Sequence, residues 1–150
     1  MITVESVPFD VFMKSNVPVL FHDKDYARQY YYILFNNAEV GRFSAQSEIS
    51  PIVEYLEDAI AIGCDQFVIF INCNDFSLLS VMNLPSFFYY FKLSGGYFFV
   101  ICEVDIIMIE PPNFTEAKTF NFVSYIDHVD ICGKNITVSF LDGSKGVFII

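Results

Sequence analysis

Ser50-Pro51-Ile52-Val53-Glu54-Tyr55-Leu56-Glu57-Asp58-Ala59-Ile60-Ala61-Ile62-Gly63 is the stretch on which the fold class turns. Ile52, Val53, Leu56, Ala59 and Ile60 fall at helical spacing, while Glu54, Glu57 and Asp58 fall on the opposite side. Ser50 suits an N-cap. Pro51 suits the first helical position, where a missing N–H costs nothing, and Gly63 suits a stop. The spacing predicts one principal α-helix over about residues 51–62.

On either side the patterns are those of strands. Gln29 to Leu34 is aromatic and β-branched, and Asn36-Asn37 separates it from Val40 and Phe43, which reads as a β-hairpin. Phe67 to Ile71 is a short apolar run that suits a buried strand, and a βαβ crossover from the first hairpin through the helix into this strand is compatible with the pattern. Ser94-Gly95-Gly96 supplies a tight turn between Phe87–Leu93 and Tyr97–Val104. Ile106 to Ile109 suits a further strand halted by Pro111-Pro112. A meander follows: a strand near Phe120 to Ile131, a turn at Gly133–Asn135, a strand at Ile136–Leu141, a turn at Asp142-Gly143 and a strand at Val147–Ile150. The fold class expected is α+β, a mostly antiparallel sheet of about 7–9 strands with one principal helix packed on it.

The length suits one domain, 1–150, and no repeat, low-complexity tract or linker divides it. With 54% hydrophobic and 18% aromatic residues the chain lies far from the composition of disordered segments, so an ordered core is expected throughout. Spanning a membrane as a helix takes about 20 consecutive apolar residues, and runs such as Tyr97 to Cys102 are much shorter. Met1-Ile2-Thr3-Val4-Glu5 lacks the basic and apolar regions of a signal peptide, and a cytoplasmic location without membrane attachment is the expectation.

Charge is the second signal. Between Arg42 and Lys118 stand Glu48, Glu54, Glu57, Asp58, Asp65, Asp75, Glu103, Asp105, Glu110 and Glu116, against Lys92 alone, so the formal net charge of −10 sits almost wholly in the middle of the chain. Such a block favours a cationic partner and repels nucleic acid. The aromatic run Phe87, Phe88, Tyr89, Tyr90, Phe91, Tyr97, Phe98 and Phe99 could stack bases, yet it lacks the basic track that phosphates need.

Chemistry-bearing residues are sparse. Cys64, Cys73, Cys102 and Cys132 form no close pair, so zinc-finger and redox-dithiol readings are disfavoured and reduced, buried thiols are expected. In Asp127-His128-Val129-Asp130, strand alternation puts His128 and Asp130 on one face, where they would make half of a divalent-metal site or, more simply, an exposed pair. His22-Asp23-Lys24-Asp25 reads as an exposed turn and lacks the glycine and distal glutamate of a calcium loop. Glu103 and Asp105 have strand spacing and should share a face, with Glu110 close by. Gly95-Gly96 is not followed by the residues of a phosphate loop, and neither GxSxG nor HExxH occurs.

Three functions compete on this basis. The first is a non-enzymatic protein-binding module, an acidic inhibitor or immunity-type protein that neutralises a basic partner such as a nuclease toxin. Glu54, Glu57, Asp58, Glu103, Asp105 and Glu110 would steer association and exposed aromatics would anchor it. The second is a secretion-type chaperone or homo-oligomeric scaffold working through an apolar sheet face. The third is a small metal-dependent enzyme around His128 and Asp130. The first requires no catalytic residue, cofactor or metal.

Overall fold

A computed structural model describes residues 1–150. Strands hold 59% of them and helix 4%. Fifteen strands form four small sheets, and by internal packing the chain divides into two compact units, Met1–Asn83 and Leu84–Ile150. No helix is long and apolar enough to cross a membrane.

In the first unit, one sheet is built from β1 (Ile2–Ser6), β2 (Val19–Phe21), β3 (Gln29–Phe35) and β4 (Ala38–Ala45), in the order β1-β3-β4-β2. β2 lies parallel to β4, and the other pairs are antiparallel. Asn36 and Asn37 turn the β3–β4 hairpin with φ of 49° and 68°, the left-handed pair that a tight hairpin requires and that asparagine tolerates. The one helix, α1 (Phe9–Lys14), buries Phe12.

The second sheet of this unit is the meander β5 (Ile52–Tyr55), β6 (Ala59–Cys64), β7 (Phe67–Asn72) and β8 (Leu78–Asn83). The principal helix expected over 51–62 is therefore an antiparallel hairpin, closed at Leu56–Asp58 by the Leu56 N–H donating to the Ala59 carbonyl at 2.8 Å. Alternation explains the change. Ile60, Ile62 and Cys64 point into a core with Ile33 and Phe43 of the first sheet, whereas Ala59, Ala61 and Gly63 lie on the other face and are also buried. A strand buried on both faces has no polar side to reveal a period of two, so its apolar residues also fit a helical stripe. Val53, Ile60 and Ile62 carry the β-branching that favours the extended form. Phe67, expected to open a strand, does open β7 and stacks on Phe21 with centroids 4.1 Å apart. No βαβ crossover connects these sheets.

In the second unit, β9 (Phe88–Ser94), β10 (Tyr97–Cys102), β11 (Asp105–Glu110) and β12 (Thr115–Asn121) form a four-stranded meander, and β13 (Ile126–Cys132), β14 (Asn135–Phe140) and β15 (Lys145–Ile149) a three-stranded one. Gly95 and Gly96, with φ of 57° and 81°, make the β9–β10 turn. The single strand expected near Phe120 to Ile131 is two. Between them the Phe122 N–H donates to the Val104 carbonyl and the Ile126 N–H to the Glu103 carbonyl, each at 2.8 Å, which carries the chain from one sheet to the next. Phe99, Ile101 and Ile106 of one sheet pack with Ile126, Val129, Ile136 and Val138 of the other. Each such side chain contributes about 1.5–3 kcal/mol through burial. The α+β class and its 7–9 strands are thus replaced by an all-β architecture of short sheets, in which the two sheets of each unit share a core.

Candidate functional site

The acidic surface of the first unit is the β5–β6 hairpin. Glu54 stands on β5 opposite Ala61, half-buried, and Glu57 and Asp58 are exposed in the turn. Apolar side chains stand in the same stretch: Ile49 is 75% exposed and Tyr55 50%. The Tyr55 hydroxyl accepts from the Ile2 N–H at 2.7 Å, which fixes the ring while leaving half of it in solvent. The side chains of Glu54, Glu57 and Asp58 make no hydrogen bond or ion pair. Although the chain has 18 acids and 8 lysines and arginines, none of these lysines or arginines pairs with a carboxylate, and the one base–carboxylate contact is His128 Nε2 to Asp130 Oδ1 at 3.2 Å.

The other three acids expected at a binding surface lie in the second unit and do not form one face. Glu103 is half-buried in the turn before β11, and Glu110 is exposed at the end of β11. Asp105 is buried: Ser86 Oγ donates to Oδ2 at 2.6 Å, and Asn121 Nδ2 donates to Oδ1 at 2.5 Å. The shared face expected of Glu103 and Asp105 fails because the strand begins only at Asp105. Asp105 ties Ser86, which precedes β9, to Asn121 at the end of β12, a joint of the fold and not a surface charge.

His128 and Asp130 do share the exposed face of β13, opposite Ser139 and Thr137, with side chains 60% and 70% exposed. No third His, Cys, Asp or Glu is grouped with them in a way that could hold a metal ion. His22 Nδ1 lies 2.8 Å from Ser44 Oγ, a serine–histidine contact, but Ser44 is fully buried and its hydroxyl also accepts the Asp23 N–H. The His22 ring packs on Phe12 at 5.3 Å. Asp23 accepts the N–H groups of Asp25 and Tyr26 and the Gln46 amide, and the Asp25 bond foremost holds its carboxyl below the usual range. His22 to Asp25 is thus a pinned turn.

All four cysteines are free. Burial pushes the thiols of Cys64 and Cys102 up to about 12, with the charges of Asp65 and Asp105 adding to the effect. Of the aromatic run, Phe88, Phe91, Phe98 and Phe99 are buried, and Phe87 and Tyr89 are exposed.

Two cations carry structural roles that the sequence did not disclose. Arg42 donates from Nε to the Val17 carbonyl at 3.0 Å and from Nη1 to the Phe12 carbonyl, with its guanidinium over the Phe12 ring, and so ties α1 to β4. Lys92, the lone base of the acidic block, donates to the Val129 carbonyl at 2.7 Å and joins β9 to β13. Backbone acceptors bear no residue-type signature, so such pairings have no motif to find.

No protein-family model and no curated protein matches the chain. Solved structures do, at low identity. The dihydro-heme d1 dehydrogenase NirN, solved with DHE, is 13% identical with a TM-score of 0.56 over 85% of this chain and 31% of its own. BamB from Moraxella catarrhalis is 12% identical with a TM-score of 0.53 over 83% of this chain and 38% of its own. BBS1N, solved in complex with ARL6DN, is 12% identical with a TM-score of 0.52 over 80% of this chain and 40% of its own. These share the architecture of consecutive small antiparallel sheets that characterises propellers. The fold is β-propeller-like. The chain spans only about a third of the length of the first natural structures it matches, whereas it covers 92% of the computationally designed Ika4 protein at a TM-score of 0.59 and 13% identity.

This likeness corrects the functional expectation. The acidic-inhibitor or immunity-type reading drew on the localised negative charge, the absence of catalytic motifs and a small single domain. The propeller-like neighbours point to a different kind of protein, so neither the class nor a toxin target is retained.

Proposed function

We infer that the chain is a non-enzymatic protein-binding module, with the β5–β6 hairpin as its contact surface for a cationic protein. The observation that carries this reading is the set of uncompensated carboxylates, Glu54, Glu57 and Asp58, in the same stretch as the exposed Ile49 and Tyr55. Charges without internal partners exert their field outward and accelerate encounter with a basic surface. A half-exposed tyrosine held by its hydroxyl loses little side-chain freedom on docking, which suits an anchor. Propeller-like sheets are compatible with such a role: BBS1N, a structural neighbour, was solved in complex with another protein. Fold alone does not assign function, so the reading rests on the hairpin.

The test is affinity capture at low salt, followed by titration of the purified captured protein against wild type and the Glu54→Lys/Glu57→Lys/Asp58→Lys variant. The expected result is a basic protein whose affinity falls by at least about tenfold in the variant and depends less on salt there. Equal affinity and equal salt response in the two would overturn the assignment.

A further inference from the structure

At one end of the second unit, backbone bonds tie several loop segments side by side. The Glu103 N–H donates to the Phe87 carbonyl and the Ile126 N–H to the Glu103 carbonyl, each at 2.8 Å, and the Leu141 N–H donates to the Tyr125 carbonyl at 3.0 Å. Glu103, in the turn between β10 and β11, is therefore held between the residues that lead into β9 and those that lead into β13. Tyr89 sits at a break in the β9–β10 register, where Ile101 pairs with Tyr90 and Cys102 with Phe88. It is the extra residue of a bulge, a place where a side chain is re-aimed off the regular pleat.

Tyr89 is 37% and Tyr125 55% exposed, and Phe87, Val123 and Leu141 on the same segments are exposed as well. Partial burial foremost, then the Glu103 carboxylate and the Tyr125 hydroxyl, raise the Tyr89 phenol above its ordinary value, so these two tyrosines and the glutamate are neighbours. Glu103 is half-buried, yet its carboxylate makes no hydrogen bond or ion pair. A partly dehydrated carboxylate beside electron-rich ring faces attracts a cation by both.

The other charges of this end favour the same sign of ligand. Asp127, Asp130 and Asp142 are exposed, against Lys92 and Lys145. Lys92 is already engaged by the Val129 carbonyl, and Asp130 lies against His128. Asp142 accepts the Ser144 hydroxyl and N–H and the Ser124 hydroxyl, the first of which foremost holds its carboxyl below the usual range. Asp105 is buried under its bonds to Ser86 and Asn121. Glu110, Glu116, Lys118 and Lys134 stand toward the opposite end, where Lys118 reaches the Ile149 carbonyl. Carboxylates thus outnumber cations around Glu103, and neither lysine pairs with it.

The exposed apolar residues extend over several segments, more surface than a free ammonium ion covers, which favours a side chain carried by a polypeptide. We propose that Tyr89, Tyr125 and Glu103 form a receptor for a basic side chain, a lysine or arginine of a partner protein. Its charge pairs with Glu103, its stem lies on the tyrosine rings, and its apolar neighbours cover Phe87, Val123 and Leu141. This site lies in the second unit and does not rest on the hairpin reading.

The probe is the blocked tripeptide Leu-Arg-Leu, titrated into the full chain and followed by the NMR ring signals of isotope-labelled tyrosine, with Tyr89→Phe and Tyr125→Phe assigning the two signals. Two comparisons accompany it: the same peptide with citrulline, which keeps the shape of arginine without its charge, and the Glu103→Gln variant. The expected result is saturable shifts of the Tyr89 and Tyr125 signals with Kd below ~10 mM, weakened at least about fivefold by either change. The citrulline exchange leaves the protein untouched, so it decides the question even if the variant folds poorly. Shifts that fail to saturate, or equal binding by the citrulline peptide, would overturn the proposal. So would saturation at Tyr55 alone, since that puts the cation on the β5–β6 hairpin and leaves the second unit without a receptor.

Discussion

Asp105→Ala tests the buried joint of the second unit. The substitution removes the acceptor for two donors, Ser86 Oγ and Asn121 Nδ2. Ser86 is 6% exposed, so its hydroxyl has no ready access to water. Stranding a buried donor costs about 1–3 kcal/mol, and Asn121, which is largely exposed, adds a smaller amount because solvent can replace the lost partner. A void in place of the carboxyl group adds to this, for a loss of about 3 kcal/mol in all. In a chain of this size that corresponds to a fall in Tm of roughly 6–12 °C. Urea melts followed by circular dichroism, with an unchanged m-value, give the free energy directly. Asp105→Asn keeps the volume and one acceptor oxygen, and should lose less. A double-mutant cycle with Ser86→Ala should show a coupling of about 1 kcal/mol or more, because the Ser86–Asp105 bond can be lost only once, leaving the serine only its weaker contacts such as the Val104 N–H at 3.3 Å. A loss below about 1 kcal/mol for Asp105→Ala, or strict additivity with Ser86→Ala, would refute the assignment of Asp105 as a joint.

Burial also sets the behaviour of the thiols: in the native state an alkylating reagent at neutral pH should modify Cys132 and, more slowly, Cys73, with Cys64 and Cys102 reacting only after denaturation, as read by mass spectrometry. Because the folded values of Cys64 and Cys102 stand near 12, above those of the unfolded chain, their contribution to stability is complete below about pH 8.5 and is lost as pH rises toward 12, by up to about 1.4 kcal/mol per pH unit per thiol. Denaturant melts from pH 8 to 11 check this, and a flat profile would count against it. Gly96→Ala should cost ~1–2 kcal/mol in a urea melt through backbone conformation alone, since a Cβ there meets no neighbour but φ is +81°; unchanged stability would show that the turn relaxes.

Turns were the most legible part of the sequence. Asn36-Asn37, Gly95-Gly96 and Asp142-Gly143 were read correctly because residues that accept positive φ are few, and the strands flanking them followed. The strands of the second sheet were not legible in the same way. Ala59, Ala61 and Gly63 are small because both faces of β6 are packed, and their uniform apolarity let a helical stripe be drawn through a hairpin. The site residues divide on similar grounds. Glu57 and Asp58 are exposed, as expected, but in the turn of a hairpin and not on the outer face of a helix. Asp105 was misplaced because its partners Ser86 and Asn121 lie 19 and 16 residues away, and nothing in its own neighbourhood announces them. Arg42 and Lys92 were invisible for the same reason.

The order of strands within the sheets bears on how the chain can assemble itself. In three of the four sheets every hydrogen-bonded neighbour is also the next strand in sequence, so each pairing closes only the turn between them. The first sheet differs, because joining β1 to β3 must close residues 7–28 and joining β2 to β4 must close residues 22–37. Loop-closure entropy therefore falls almost entirely on the N-terminal sheet, while the others can zip outward from their own turns.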